Sequence, residues 1–219
     1  MPSIKILTMQ KIIFSVWSDL NQSWSNHKDV IINKQREYAR ICGAEYNHFV
    51  VDHNFTDLMF FKILKAEELT KEYDKVLYLD CDVVPKTKKS FFDSHDFDKV
   101  CLHRTQKPDW KIQHKQMMLH MYNIQGNNLI CNTGVLGLSK KSAEALMFSE
   151  RLDDAKEFHC EMSYEPNNEV CISYMIERYN VPLKDIGMQW NFILDKNFKE
   201  ETAACYFVHH SNKEFMNGV

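Results

Sequence analysis

The sequence predicts an α/β fold in which a central, mostly parallel, twisted sheet is flanked by helices. Three observations predict it. Over the first 80 residues, short apolar runs of strand length alternate with segments of helical periodicity in the order β, α, β, α, β, the signature of a parallel sheet covered by helices. Only 6 Gly and 5 Pro punctuate the chain, so the connections have to be short. The length of 219 residues suits one domain with a sizeable core, and no internal repeat suggests a solenoid.

Residues 4–9 (IKILTM) and 11–17 (KIIFSVW) are β-rich runs, and the second leads into SVWSDLNQSWSN, a polar loop containing aromatics. Asn26 or Asp29 can cap a helix in which Ile31, Gln35, Tyr38, Ala39 and Cys42 fall at helical spacing, and Gly43 stops it. A strand is expected at 46–51. Residues 57–71, rich in Leu, Lys and Glu, form a helix that leads through Tyr73 and Asp74 into a strand at 75–79. The second half is less regular. A strand is expected at 99–102, whereas 104–125 is long and polar with no clear element. Residues 128–138 (NLICNTGVLGL) read as strand and turn, and Ser139 is a good cap for a following helix. Residues 168–179 form a helix, 181–186 (VPLKDI) a strand, and 203–209 a last strand that runs into the polar HHSNKEF.

Composition narrows the function classes. Lys and Arg number 27 against 30 Asp and Glu, a net charge of −3, which gives no electrostatic footprint for nucleic acid or an anionic membrane. Seven cysteines are scattered without CxxC spacing, which argues against a disulfide framework and a zinc site and for a reducing, cytoplasmic compartment. No apolar run approaches the roughly 20 residues that span a bilayer, and a cleaved signal sequence is not expected.

The chemistry gathers at VLYLDCDVVP, residues 76–85. In an extended chain residues i and i+2 share a face, so Asp80 and Asp82 would point together and Cys81 away. Two close carboxylates need a cation. At the end of a parallel strand they suit Mg²⁺ or Mn²⁺ shared with substrate phosphates, although a strand end with one acid capping a turn reads the same way. Asn132-Thr133-Gly134 offers an amide, a hydroxyl and a permissive glycine to a polyhydroxylated ligand, or makes a plain turn. His209 ends an apolar strand and could complete an Asp/His metal set or be structural; Lys62 could offset phosphate charge or be solvated.

These pieces, taken in order, resemble the GT-A nucleotide-sugar glycosyltransferases, most closely the galactosyl/mannosyl/xylosyltransferase group related to the yeast α-galactosyltransferases. INKQREYARICGAEY looks like the group's NK-x-x-YA-x-x-x-GY helix. FFKILKAEELTKEYDKVLYLDCDVV is similar to its K-I-x-x-L helix, strand and DxD motif. LICNTGVLGLSK resembles its N-T-G segment, and YFVHHSNK its terminal F-V-H-F-x-G.

The resemblance implies a hexosyltransferase of GT-A fold. Residues 1–219 would be a single domain, with 1–100 the nucleotide-binding half and 101–219 the acceptor-side half. Its donor would be a UDP-sugar, its cofactor Mn²⁺ or Mg²⁺, and its acceptor a glycan or glycoprotein. Asp82 would ligate the metal, Asp80 would contact metal, bound water or ribose, and His209 would be the third ligand. Lys62 would lie near the donor phosphates, with Asn132 and Gly134 bordering the sugar. Ser15 and Trp17 would line the nucleotide pocket together with Cys81. Glu169, in PNNEVCISYM, would face the reacting sugar as the catalytic or acceptor-side acid, and Trp190-Asn191 would line the same cleft.

Asn212 stands where the family pattern has Gly, and the adjacent His210 competes with His209 for the ligand role. The chain stops about a helix short of many relatives, as expected of a soluble viral or microbial form or one domain of a larger protein. Algal-virus glycosyltransferases that decorate capsid glycoproteins resemble it in this. Two other readings compete. DCDVV also fits the DxDx[TV] motif of haloacid dehalogenase phosphohydrolases, which expects the acids on the first strand. A non-catalytic carbohydrate-binding module would use exposed Trp17, Trp24, Trp110 and Trp190.

Overall fold

Six of the eight residues of β1 (Lys11–Ser18) are buried. Successive strand residues face opposite ways, so Ile12, Phe14 and Val16 enter one hydrophobic cluster while Ile13 and Trp17 enter the clusters on the other face. A strand covered on both sides must be apolar throughout, which is why β1 reads as an unbroken run. The structure, a computed structural model, describes residues 9–18, 27–52, 55–106, 108–161, 165–194 and 204–210. Most of the expected strand at 4–9 lies outside these, and Met9 is not in a strand.

From β1 the chain enters α1 (Lys28–Ile41), β2 (Glu45–Val51), α2 (Phe55–Leu69) and β3 (Lys75–Leu79). The expected cap of α1 is corrected: His27 occupies the position without a side-chain bond, and Asp29 lies inside the first turn, where its charge favours the helix dipole. Asn26 is outside the described residues. Gly43 does end α1. Its φ is +60°, and the amides of Gly43 and Ala44 bond back to the Arg40 and Ala39 carbonyls, a Schellman closure.

A short β4 (Val83–Pro85) and one-turn α3 (Phe91–Ser94) lead to β5 (Val100–Thr105), three residues longer than expected at its end. The unassigned segment contains α4 (Asp109–His120). Its buried face is Lys115, Met118 and Leu119, and a lysine at a core position hides the apolar period. Next come β6 (Ile130–Leu138), α5 (Lys140–Leu146), α6 (Phe148–Glu161) and α7 (Asn168–Arg178). Ser139 caps α5 in a reciprocal box with Ser142. The described residues continue through β7 (Leu183–Asp185), a 3₁₀ turn at Met188–Trp190, β8 (Phe192–Leu194) and β9 (Phe207–His210), the last shorter and later than the expected 203–209.

Among the described residues, six strands form one sheet in the order β2-β1-β3-β6-β5-β7. Only β6 runs against the others, being antiparallel to both β3 and β5. A second sheet, β4-β9-β8, stands at the end of β3. It brings the last described residues of the chain beside Asp80 and Asp82: β9 pairs antiparallel with β4, Val83 opposite His209.

Candidate active site

The acid pair does not lie on an extended strand. β3 stops at Leu79, and residues 80–83 form a turn closed by the Val83 amide on the Asp80 carbonyl at 3.0 Å. The two carboxylates converge through this turn, and the alternation argument for Cys81 is corrected with it. Cys81 is half-buried and lines the cleft. Burial, then Asp82 and Asp80, push its thiol well up, so it stays neutral.

Buried Gln35 of α1 holds the turn from below, its amide donating to the Asp80 and Val83 carbonyls at 3.0 and 2.9 Å. Its own carbonyl accepts from Tyr46 Oη at 3.0 Å, Tyr46 takes the Ser15 hydroxyl at 3.0 Å, and Ser15 takes Trp17 Nε1 at 3.2 Å. Each donor in this chain meets one acceptor. Burial pushes the Tyr46 phenol to about 12, so its proton stays available. Ser15 and Trp17 therefore do not line the cleft; both are buried and face α1, and the neighbouring Val16 supplies the wall. Their alternation along β1 decides this.

Above the turn the acids have unequal surroundings. Lys62 Nζ donates to both Asp80 oxygens at 2.9 and 3.1 Å, and Tyr78 Oη donates to Asp80 Oδ1. Burial alone would raise the Asp80 carboxyl, but Lys62 and His209, then the Tyr78 bond, outweigh it and hold it below the usual value. Asp82 Oδ1 is buried, 3.2 Å from His209 Nε2, yet makes no hydrogen bond of good geometry. Candidate ligand atoms of Asp80, Asp82 and His209 lie within 4.8 Å of one another. Burial would lower His209, but Asp82, then Asp80, outweigh it and raise it.

The choice between the two histidines follows from packing. His209 turns toward the acids over Gly134, where an added Cβ would meet Nδ1 at 2.6 Å; His210 instead bonds Asp82 through its backbone amide. Gly134 thus leaves room for the imidazole. A directed chain of side chains orients that ring. Glu169 can only accept, so Asn132 turns its Nδ2 to Glu169 Oε1 at 2.8 Å. Asn132 Oδ1 then takes Asn191 Nδ2 at 2.6 Å, which leaves Asn191 Oδ1 facing His209 Nδ1 at 3.0 Å. The proton belongs on Nδ1, and Nε2 is presented to the acids.

Glu169, in the first turn of α7, also pairs with Lys111 from the first turn of α4. The cleft over the acid pair is about 390 Å³ and includes Lys62, Asn132 and Glu169 in its wall. Of the expected residues, the structure gathers Asp80, Asp82, His209, Lys62, Cys81, Asn132 and Glu169 here, with Gly134 and Asn191 behind them. Gln35, Tyr78 and Lys111 were missed. Tyr78, two residues before Asp80 in a buried strand, carried the readable signal. Trp190 and Trp17 are buried, only Trp110 of the three described tryptophans is exposed, and Trp24 lies outside the described residues, so the binding-module reading is not favoured. The phosphohydrolase reading is not favoured, since Asp80 follows β3 rather than the first strand.

The family model described as Glycosyl transferase family 8 matches residues 6–141, a stretch that holds Lys62, both acids and Asn132. No curated protein matches in a sequence search. Among solved structures, the chain is similar to a glycosyltransferase involved in the glycosylation of the major capsid of PBCV-1. That match has 17% identity and a TM-score of 0.61, covering 96% of this chain and 94% of the other. It is also similar to galactosyltransferase LgtC in complex with donor and acceptor sugar analogues, at 11% identity and TM-score 0.60 over 93% and 88% of the two chains. Mouse xyloside xylosyltransferase 1 follows at 10% and 0.56, over 93% and 98%. At these identities the likeness is one of fold, and the fold is GT-A.

Proposed function

The chain belongs to glycosyl transferase family 8, and from that premise we propose a metal-dependent enzyme that moves a hexose from a nucleoside-diphosphate sugar, a UDP-sugar by preference, to a glycan or glycoprotein acceptor. The Asp80, Asp82 and His209 cluster carries the proposal. Two carboxylates and an imidazole suit Mn²⁺ or Mg²⁺, and the buried Asp82 Oδ1 without a hydrogen bond fits an atom kept for an ion. Bound there, the ion would supply Lewis-acid stabilisation of charge on the departing nucleoside diphosphate. Asp82 and His209 would be its firmest protein ligands, because Asp80 is already engaged by Lys62 and Tyr78.

The remaining groups suit the sugar. Lys62 brings positive charge to the cleft, Asn132 offers an amide already oriented by Glu169 and Asn191, and Glu169 places a carboxylate where it can orient the reacting sugar or take the acceptor's proton. Residues 1–100 would hold the nucleotide and 101–219 the acceptor, within one domain. A cytoplasmic location belongs to the same proposal and is supported by the seven cysteines being scattered without paired spacing. No helix among the described residues is long and apolar enough to cross a membrane.

Thermal unfolding with UDP or GDP, each with and without Mn²⁺, tests the proposal. Strong Mn²⁺-dependent stabilisation by a nucleoside diphosphate is expected, and Asp82→Ala should abolish it. An unchanged response in Asp82→Ala would remove the metal role.

A further inference from the structure

The acid-pair cleft abuts a second cavity of about 550 Å³, bounded in part by Met188, Phe192 and Ile193. Among the described residues the two linings share only Lys111, Asn132 and Glu169. The Lys111–Glu169 ion pair spans this junction, with side chains only 17% and 12% exposed. Glu169 is a fixed post, because its other oxygen takes Asn132 Nδ2 at 2.8 Å and the Thr133 amide at 3.4 Å. Lys111 is the movable partner. It is a flexible four-carbon stem, and the Trp110 ring centroid 5.5 Å from its ammonium offers a second resting place.

We propose that Lys111 is a gate: paired with Glu169, it separates the donor cleft from the second cavity and keeps water from the donor sugar until an acceptor enters. This rests on the glycosyltransferase reading with the donor over the acid pair. In transfer, the bond between the anomeric carbon and the diphosphate oxygen breaks, and its electron pair leaves on the nucleoside diphosphate. The acceptor hydroxyl oxygen bonds that carbon and its proton is released. Water in the acceptor's place gives free sugar, nucleoside diphosphate and a proton by the same balance. Removing the ammonium opens the route through the larger cavity, while Glu169 keeps its two amide bonds and stays in place to receive the water's proton.

Lys111→Met, which keeps the stem and loses the charge, tests the gate with UDP-glucose and UDP-galactose in Mn²⁺ and no acceptor, by release of UDP. Hydrolysis of at least one donor is expected to rise several-fold, with the Mn²⁺-dependent thermal shift by UDP unchanged, and Lys111→Arg is expected to restore the slow rate. Equal or slower hydrolysis, a lost UDP shift in Lys111→Met alone, or an Arg variant as leaky as Met overturns the gate and leaves the functional reading standing. A wild-type protein with no Mn²⁺-dependent UDP response overturns that reading, and the gate with it.

Discussion

The same two helices, α4 and α7, are joined by two lysine–glutamate pairs that have different surroundings. Away from the cleft, the Lys115 ammonium is fully buried and donates to the Asn127 and Leu129 carbonyls, each at 2.7 Å, as well as to Glu177. Glu177 in turn accepts the Asn127 amide at 2.9 Å, so this pair fastens the connection from α4 to β6. At the cleft, Lys111 has Glu169 as its one hydrogen-bond acceptor among the described residues. An ammonium carries three donors. Lys115 has spent all of them on the fold, whereas Lys111 keeps donors that can turn to a ligand. One turn of helix separates a structural use of the lysine from the gating use proposed for it.

Unfolding measurements can break this comparison. Lys115→Met takes the ammonium from the Leu129 carbonyl and leaves the Glu177 carboxylate without its counter-ion, and should cost about 4 kcal/mol in denaturant titration. Gly134→Ala comes next. Its Cβ overlaps the His209 ring, and a cost of about 3 kcal/mol is expected together with loss of the Mn²⁺-dependent UDP shift. Gln35→Leu should cost about 2 kcal/mol by removing the side-chain donor to the Asp80 and Val83 carbonyls and the acceptor of the Tyr46 hydroxyl, and isothermal titration should show weaker Mn²⁺ uptake. Lys111→Met should cost least, about 1 kcal/mol, because Glu169 keeps Asn132 and Thr133. Equal losses at Lys111 and Lys115 would dissolve the distinction between the two pairs.

The first half of the chain was the more readable. β3 has the limits its apolar run predicts, and α1 ends at Gly43 because a positive φ there is easy for glycine alone. α4 was hidden for the reason that makes it interesting, a lysine turned into the core. At the site, the residue types were legible and several of their orientations were not. Ser15 and Trp17 have the polarity of pocket residues, yet they face α1 and support the acid-pair turn from behind. Gln35 fell on the buried stripe of a helix, and its spacing could not reveal that its amide bonds two carbonyls some 45 residues away.

By itself the sequence determined the alternating α/β order, the acid pair at the end of a buried strand and the family, because each rests on local periodicity or on residues close together in the chain. Only the tertiary structure decided which histidine meets Asp82. That choice depends on β9 pairing with β4 so that His209 stands opposite Val83, and on the space beside Gly134. Shifting that register by one residue would exchange His209 for His210, and the local pattern of β9 reads the same in either register.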